Sequence, residues 1–476
     1  MVKPSRILII LLYVGVMAGI IMLVSPGVLD VSPEYSLKVF TWSDAFENQK
    51  KADIDAILAL EKSLDSLDAE QAEDSVASLD KKPEFKPVEV QPVKVPIEYP
   101  GGNSQALDNF YASLNTLASK KNLIRIVHYG DSQLEGDRIT EFIRNRFQAT
   151  FGGCGVGITP ILEIKNARST IYQEASDNWN KKLCYGVNRG STKHSNYGLL
   201  GSYFQFPSSA WVKFSRSKYS YERNNTFDNI KLLYKNTEDT LVVNYEFNNA
   251  SFGGTDSLTT QNAFMVHKIP FRGSFKNLKM NFKTNKDSEL YGLAFDCNSG
   301  VAVDNVALRG SSGTEFTNIN RDYLKTQFSK LNVKLIIIQF GVNVIPNVLT
   351  DYTYYENSMY RQLKYLKSLR PDLNILVVGV SDMARKRGPK YESYPNIRLV
   401  REAQRNAAFR ANCAYWDLFT AMGGQNSMIS WVHAKAPLAN KDYTHFTRRG
   451  AKLVGEMVYN ALMADYAQFQ KRMAMN

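Results

Sequence analysis

Two nearly uninterrupted apolar runs limit what this chain can fold into. Lys334-Leu-Ile-Ile-Ile-Gln-Phe340 and Ile375-Leu-Val-Val-Gly-Val380 lack the alternation of a strand with one wet face. Each therefore needs cover on both faces, the condition met by a parallel sheet between two helical layers. A helical pattern at 355–369 lies between them, as a right-handed crossover requires. A third run, Ile124, Ile126, Val127 and Tyr129, stops at Gly130-Asp131-Ser132 and passes into residues 137–147, where Ile139, Phe142, Ile143 and Phe147 fall at helical spacing. Strand, sharp turn and helix bring a serine to the carboxyl end of a strand with its own N–H near a helix N-terminus. That combination offers a nucleophile and an oxyanion donor together. The plainer reading is a Gly-Asp-Ser turn that caps a helix.

With 476 residues the chain is long enough for two or three domains, and 44% hydrophobic with 22% charged residues describes a mostly globular protein. The formal net charge of +12 is scattered, with no dense Lys/Arg run. It implies general attraction to anionic envelope surfaces and gives no reason to expect a nucleic acid partner. Cys154, Cys184, Cys297 and Cys413 show no metal-ligand spacing, and no paired His or carboxylate cluster does, so neither a metal nor a cofactor is expected. The cysteines read as buried free thiols or, in an oxidising compartment, as a Cys154–Cys184 disulfide beside two thiols.

Residues 7–24 carry no charge and are long enough to span a bilayer as a helix. Lys3 and Arg6 precede them and Asp30 and Glu34 follow, which puts the N-terminus in the cytoplasm and the rest outside, in the periplasm or its equivalent. A single-pass transmembrane anchor over 1–25 is expected; a cleaved signal peptide is the competitor, but Ser25-Pro-Gly27 is a poor cleavage site. Residues 26–102 read as a linker. Ile54, Ile57, Leu58, Leu60 and Leu64 form a helical stripe, expected as a solvated helix in preference to a coiled coil, before an extended spacer containing Pro83, Pro87, Pro92, Pro96 and Pro100. An α/β domain then occupies 103–168 and 290–476. Between its parts, 169–289 is rich in Tyr, Phe, Asn, Ser and Thr and reads as antiparallel strands, a sandwich-like insert of the kind that binds carbohydrate or shapes a cleft. Trp179, Tyr197, Trp211, Tyr219 and Tyr221 are its candidate sugar-stacking aromatics, with core packing as the alternative.

Beyond the insert, Tyr291–Phe295 and 301–308 look like strands leading to Arg309-Gly310-Ser-Ser-Gly313; the run ending at Phe340 gives way to Gly341-Val-Asn343, and Asp442-Tyr-Thr-His445 precedes a final helix. Together with Gly130-Asp131-Ser132, these four blocks resemble the SGNH/GDSL family of serine esterases and acyltransferases. The resemblance covers 103–168 and 290–467. It implies a three-layer α/β/α domain in which Ser132 is nucleophile, His445 its base and Asp442 the residue that orients the imidazole. The Ser132 and Gly310 backbone N–H groups and the Asn343 amide would form the oxyanion hole. Gly313 lies close to Gly310, and Val344 stands where the family usually has Asp or Glu. His128, His194, His267 and His433 lack a carboxylate at the spacing of Asp442 and are expected to be structural, although His433, beside Trp431, could line the cleft.

An exported domain with such an insert points to an O-acyl ester of a cell-wall or exported polysaccharide, peptidoglycan included. Three activities fit: a carbohydrate O-acetylesterase, an O-acetyltransferase of the same fold working beside a multi-span membrane acyltransferase, and a glycan-binding protein without activity. The first two share an acyl-enzyme and differ in whether water or a sugar hydroxyl takes the acyl group.

Overall fold

The computed structural model describes residues 93–475 except 103–104, 164–167, 187–191, 237–238, 272–274 and 285–287. It also describes 52–61 and 63 and, nearer the N-terminus, 9, 12–17, 20, 28–32 and 35–38. The chain divides into two compact units, 1–51 with 386–391 and the remainder. The described part of the first unit has helical residues among 9–20 and an antiparallel pair, Val28–Ser32 with Tyr35–Lys38. Among the described residues no helix is long and apolar enough to cross a membrane. Residues 7–8, 10–11, 18–19 and 21–24 of the expected anchor, and the proline-rich spacer as far as 92, lie outside them.

The larger unit is organised on a parallel sheet of β1 (Leu123–Gly130), β2 (Gly300–Ala307), β3 (Val333–Gln339), β4 (Asn374–Val378) and β5 (Ala414–Trp416), in the order β2-β1-β3-β4-β5. The helices are α1 (Asp108–Thr116), α2 (Thr140–Phe151), α3 (Arg321–Lys330), α4 (Thr353–Lys367), α5 (Ile397–Arg410) and α6 (Arg448–Met475). Val127, Tyr129, Ile336, Ile338, Ile375 and Val377 pack under Leu324 of α3, Met359 of α4 and Val400 of α5. The other face is covered by α1, α2 and α6, knit by Phe147 against Phe110 at 6.1 Å and Tyr459 at 5.3 Å. Both faces of the apolar runs are thus dry, as their composition demands. Connections from β1 and β3 leave toward opposite edges, which opens a crevice at the carboxyl ends of these two strands. Gly130 is required there: a Cβ would stand 2.6 Å from the Gln339 carbonyl oxygen.

Residues expected in the linker join this body. Glu98 pairs with Tyr415 through two backbone hydrogen bonds of 2.8 and 2.9 Å, and Trp416 Nε1 donates to the Val95 carbonyl. The short helix after Ala52 is docked and not solvated: Ile54 and Ile57 are buried, Ser430 Oγ donates to the Ala52 carbonyl, and Glu61 pairs with Arg449. Its apolar stripe found a partner within the chain.

The insert is a sandwich of two antiparallel sheets. One runs Phe252–Leu258, Leu241–Phe247, Asn277–Lys283, Ser209–Arg216, Ile171–Ala175; the other runs Gln261–Ile269, Asn229–Asn236, Ser288–Asp296, Ser202–Gln205, Asn180–Leu183. The strand Ser288–Asp296, read from sequence as the return of the α/β pattern, belongs to this second sheet. Its composition misled because both its faces are buried: Leu290, Leu293 and Phe295 enter the sandwich core, while Tyr291 and Ala294 face the core of the α/β domain. The disulfide also differs from expectation. Cys154 pairs with Cys297, with Cα atoms 5.1 Å apart, and Cys184 and Cys413 are buried thiols. Cys184 packs in the α/β core, while Cys154 lies in the sandwich core with Cys297 packed against it.

Candidate active site

Ser132 follows β1 after one residue, in a short 3-10 turn (Ser132–Asp137) that precedes α2. The turn is held from below by Asp131. Its carboxylate accepts the Gln133 N–H at 3.0 Å and, across the crevice, the Gly341 N–H at 3.1 Å, so one buried side chain ties the end of β1 to the end of β3. Burial pushes this carboxyl up to about 6, against the opposing pull of the Gln133, Val342 and Gly341 N–H groups. The second half of the site comes from the loop before α6. Tyr443 adopts φ +54°, a left-handed turn that folds Asp442 back on His445. Asp442 Oδ1 accepts the Thr444 and His445 N–H groups, both at 3.0 Å, and Oδ2 lies 2.8 Å from His445 Nδ1. Partial burial raises the Asp442 carboxyl, but these bonds from His445 and Thr444 outweigh it and hold the group below its usual range.

The two halves meet across 313 residues of sequence: Ser132 Oγ is 2.7 Å from His445 Nε2. Gln133 clamps the loop in place, donating to the Thr444 carbonyl at 2.6 Å and accepting the Phe446 N–H. Asn343 donates to the Ser311 carbonyl at 2.8 Å, which commits one of its two amide hydrogens to the neighbouring loop. Gly310 lies exposed in that loop at φ +82° with open space around it. The Gly313 N–H is bonded to Ser311 Oγ, and a Cβ on Gly313 would strike the Phe340 ring, so of the two glycines Gly310 has the open position. Val344 is buried in the α/β core, where the family's usual acid would be desolvated.

No protein-family profile matches the chain, and no curated protein does. Solved structures do: a peptidoglycan O-acetylesterase superposes with a TM-score of 0.62 at 20% identity, over 78% of this chain and 99% of that one. The two proteins share a fold. The matched share exceeds what the α/β domain alone contains, so the likeness extends into the sandwich insert. What is shared is thus the architecture of both folded parts. A family two carbohydrate esterase from Cellvibrio japonicus (8% identity, 63% of this chain, 98% of that one) and a lipase/acylhydrolase from Enterococcus faecalis (16%, 35% and 77%) superpose with TM-scores of only 0.25, too low to bear on the argument.

The remaining histidines lie apart from the Ser132–His445 pair or at its edge. His128 is fully buried between Gln339 and Thr140, and burial lowers it to about 3, so it is neutral. His194 and His267 pair with Glu289 and Asp256 in the insert. His433 is exposed and lies 3.0 Å from the Tyr443 hydroxyl, next to the His445 loop. Of the insert aromatics, Trp179 and Tyr197 are core, Trp211 is half-buried beside Lys279, Tyr221 packs edge-on against Phe142, and Tyr219 is 62% exposed. Among the described residues no cluster of His, Cys, Asp or Glu could hold a metal. Sequence reasoning missed Gln133 and Arg138, which donates to the Ser132 carbonyl and, at 2.8 Å, to that of Glu135. Nothing local in the sequence marks either of them.

Proposed function

We propose that this chain is a serine esterase that removes O-acetyl groups from a cell-wall or exported polysaccharide. The observation that carries the reading is the continuous hydrogen-bonded chain from Ser132 Oγ through His445 to Asp442 at the crevice between β1 and β3. A serine hydroxyl is a weak nucleophile until a base takes its proton, and His445 Nε2 is at the distance to do so as Ser132 Oγ attacks the ester carbonyl. Asp442 fixes the tautomer with the proton on Nδ1 and stabilises the imidazolium that forms. The tetrahedral oxyanion is received by the Ser132 and Gly310 N–H groups and the Asn343 amide. His445 then protonates the leaving sugar oxygen, and water, deprotonated by the same imidazole, releases acetate from Ser132.

The fold shared with a peptidoglycan O-acetylesterase supports an acetylated glycan as substrate. Location outside the cytoplasmic membrane, tethered through residues 7–24, belongs to the same reading and rests on their uncharged, apolar sequence. The test is acetate release from O-acetylated peptidoglycan and O-acetylated xylan. Wild-type protein should release acetate from at least one, and Asn343→Ala should lower the rate about 100- to 1,000-fold. Acetyl transfer between sugars without net release would move the assignment to an acyltransferase.

A further inference from the structure

Tyr219 is the most exposed of the insert's candidate aromatics; Trp211 and Tyr221, the other two outside the core clusters, are half-buried. Tyr219 is 62% exposed, with the Lys218 ammonium 5.0 Å from its ring centroid. The residue is held firmly by its backbone. Its N–H donates to Ser217 Oγ at 3.2 Å, and Ser217 is fully buried, its carbonyl accepting Asn225 Nδ2 at 3.0 Å. Its own carbonyl accepts Arg448 Nη2 at 3.0 Å. Arg448 opens α6 three residues after His445, and it is fixed by Glu141 at 2.8 Å and by the Phe142 ring beneath its guanidinium. The Glu141 carboxylate also accepts from Ser169 Oγ, and the Ser169 N–H donates to the Gly136 carbonyl of the nucleophile turn at 3.3 Å. A loop of the insert is therefore pinned to both pieces of the α/β domain that carry Ser132 and His445.

We propose that Tyr219 is a substrate subsite that stacks on a sugar ring of the glycan strand whose ester enters the Ser132 crevice; this rests on the esterase reading. The negative face of a phenol ring attracts the C–H face of a pyranose, and the neighbours Lys218, Ser220 and Glu222 suit hydroxyl and charged edges, not an acyl chain. A loop seated by its backbone on the helix that follows His445 can hold a ring without first ordering it.

The experiment compares Tyr219→Ala and Tyr219→Phe with wild type on O-acetylated peptidoglycan and on p-nitrophenyl acetate. Tyr219→Ala should raise KM for the polymer about tenfold and leave small-ester kinetics unchanged, while Tyr219→Phe retains wild-type behaviour. Equal loss on both substrates, or no change on the polymer, overturns the subsite. Binding of the polymer to Ser132→Ala protein, read by affinity electrophoresis, separates the two claims. Weakening by an added Tyr219→Ala upholds the subsite independently of turnover, and equal binding with and without the phenol ring overturns it while leaving the esterase reading intact.

Discussion

Asp131 does more than complete a turn. Its two oxygens serve N–H groups from both strand ends, so the spacing of Ser132 and Asn343 depends on one buried carboxylate. Asp131→Asn turns one acceptor into a donor facing a backbone N–H. It should cost roughly 1–3 kcal/mol of stability, measured by urea unfolding. The pH dependence has a defined sign. The carboxyl titrates near about 6 in the fold, raised by burial, but near 3.9 in the unfolded chain. Between those values the folded protein holds a proton that the unfolded chain has lost, so this group's contribution to stability declines as pH rises from about 4 to about 6. Asp382, also raised to about 6 by burial, acts in the same direction. Unfolding free energies at pH 4, 5 and 6 should therefore fall less steeply in Asp131→Asn than in wild type; identical slopes would contradict the assignment. Ser132, Asp442 and His445 were legible because each lies in a local pattern, a strand end or a three-residue spacing. Gln133 was not, because its partners Thr444 and Phe446 are more than 300 positions away and a glutamine after a serine announces nothing.

At the scale of elements, four strands of the parallel sheet could be read from composition, whereas the three-residue Ala414–Trp416 was too short to show, and the order β2-β1-β3-β4-β5 follows from ordinary crossover connections. The strand Ser288–Asp296 could not be assigned to its sheet, since burial on both faces looks the same whether the cover is a helix or a second domain. The same blindness applied to cysteine pairing, where 143 residues separate Cys154 from Cys297. That bond closes a loop containing the whole insert, and removing it by Cys154→Ser with Cys297→Ser should cost about 2–5 kcal/mol. Urea midpoints of wild type with and without reductant, beside those of the double variant, give the value. A double variant as stable as oxidised wild type would show that the sandwich needs no staple.

Taken whole, the molecule joins its two folded parts through buried charge as well as apolar contact. Arg125 on β1 is fully buried and reaches Asp304 on β2 at 2.5 Å and Asp296, at the end of the sandwich strand, at 2.6 Å. Arg125→Ala would remove the buried cation shared by both carboxylates, leaving Asp296 only Lys231 at 3.6 Å and Asp304 the Ile158 N–H at 2.8 Å, and should destabilise by roughly 3–5 kcal/mol, with both parts melting together. Separate transitions would mean that insert and α/β domain fold independently. The fragment 169–289, the insert as bounded from sequence, likewise holds only the first two residues of the strand Ser288–Asp296 from the middle of its second sheet and is not a self-sufficient domain. What the assembled chain achieves is the meeting of Ser132 and His445, and the most direct test is to trap the bond it is meant to form. Wild-type protein mixed briefly with p-nitrophenyl acetate, quenched in acid and digested, should carry acetyl on Ser132 by mass spectrometry, and Ser132→Ala should carry none and hydrolyse no ester above background. Undiminished hydrolysis by Ser132→Ala, or acetyl on a different residue of the wild type, would contradict the account.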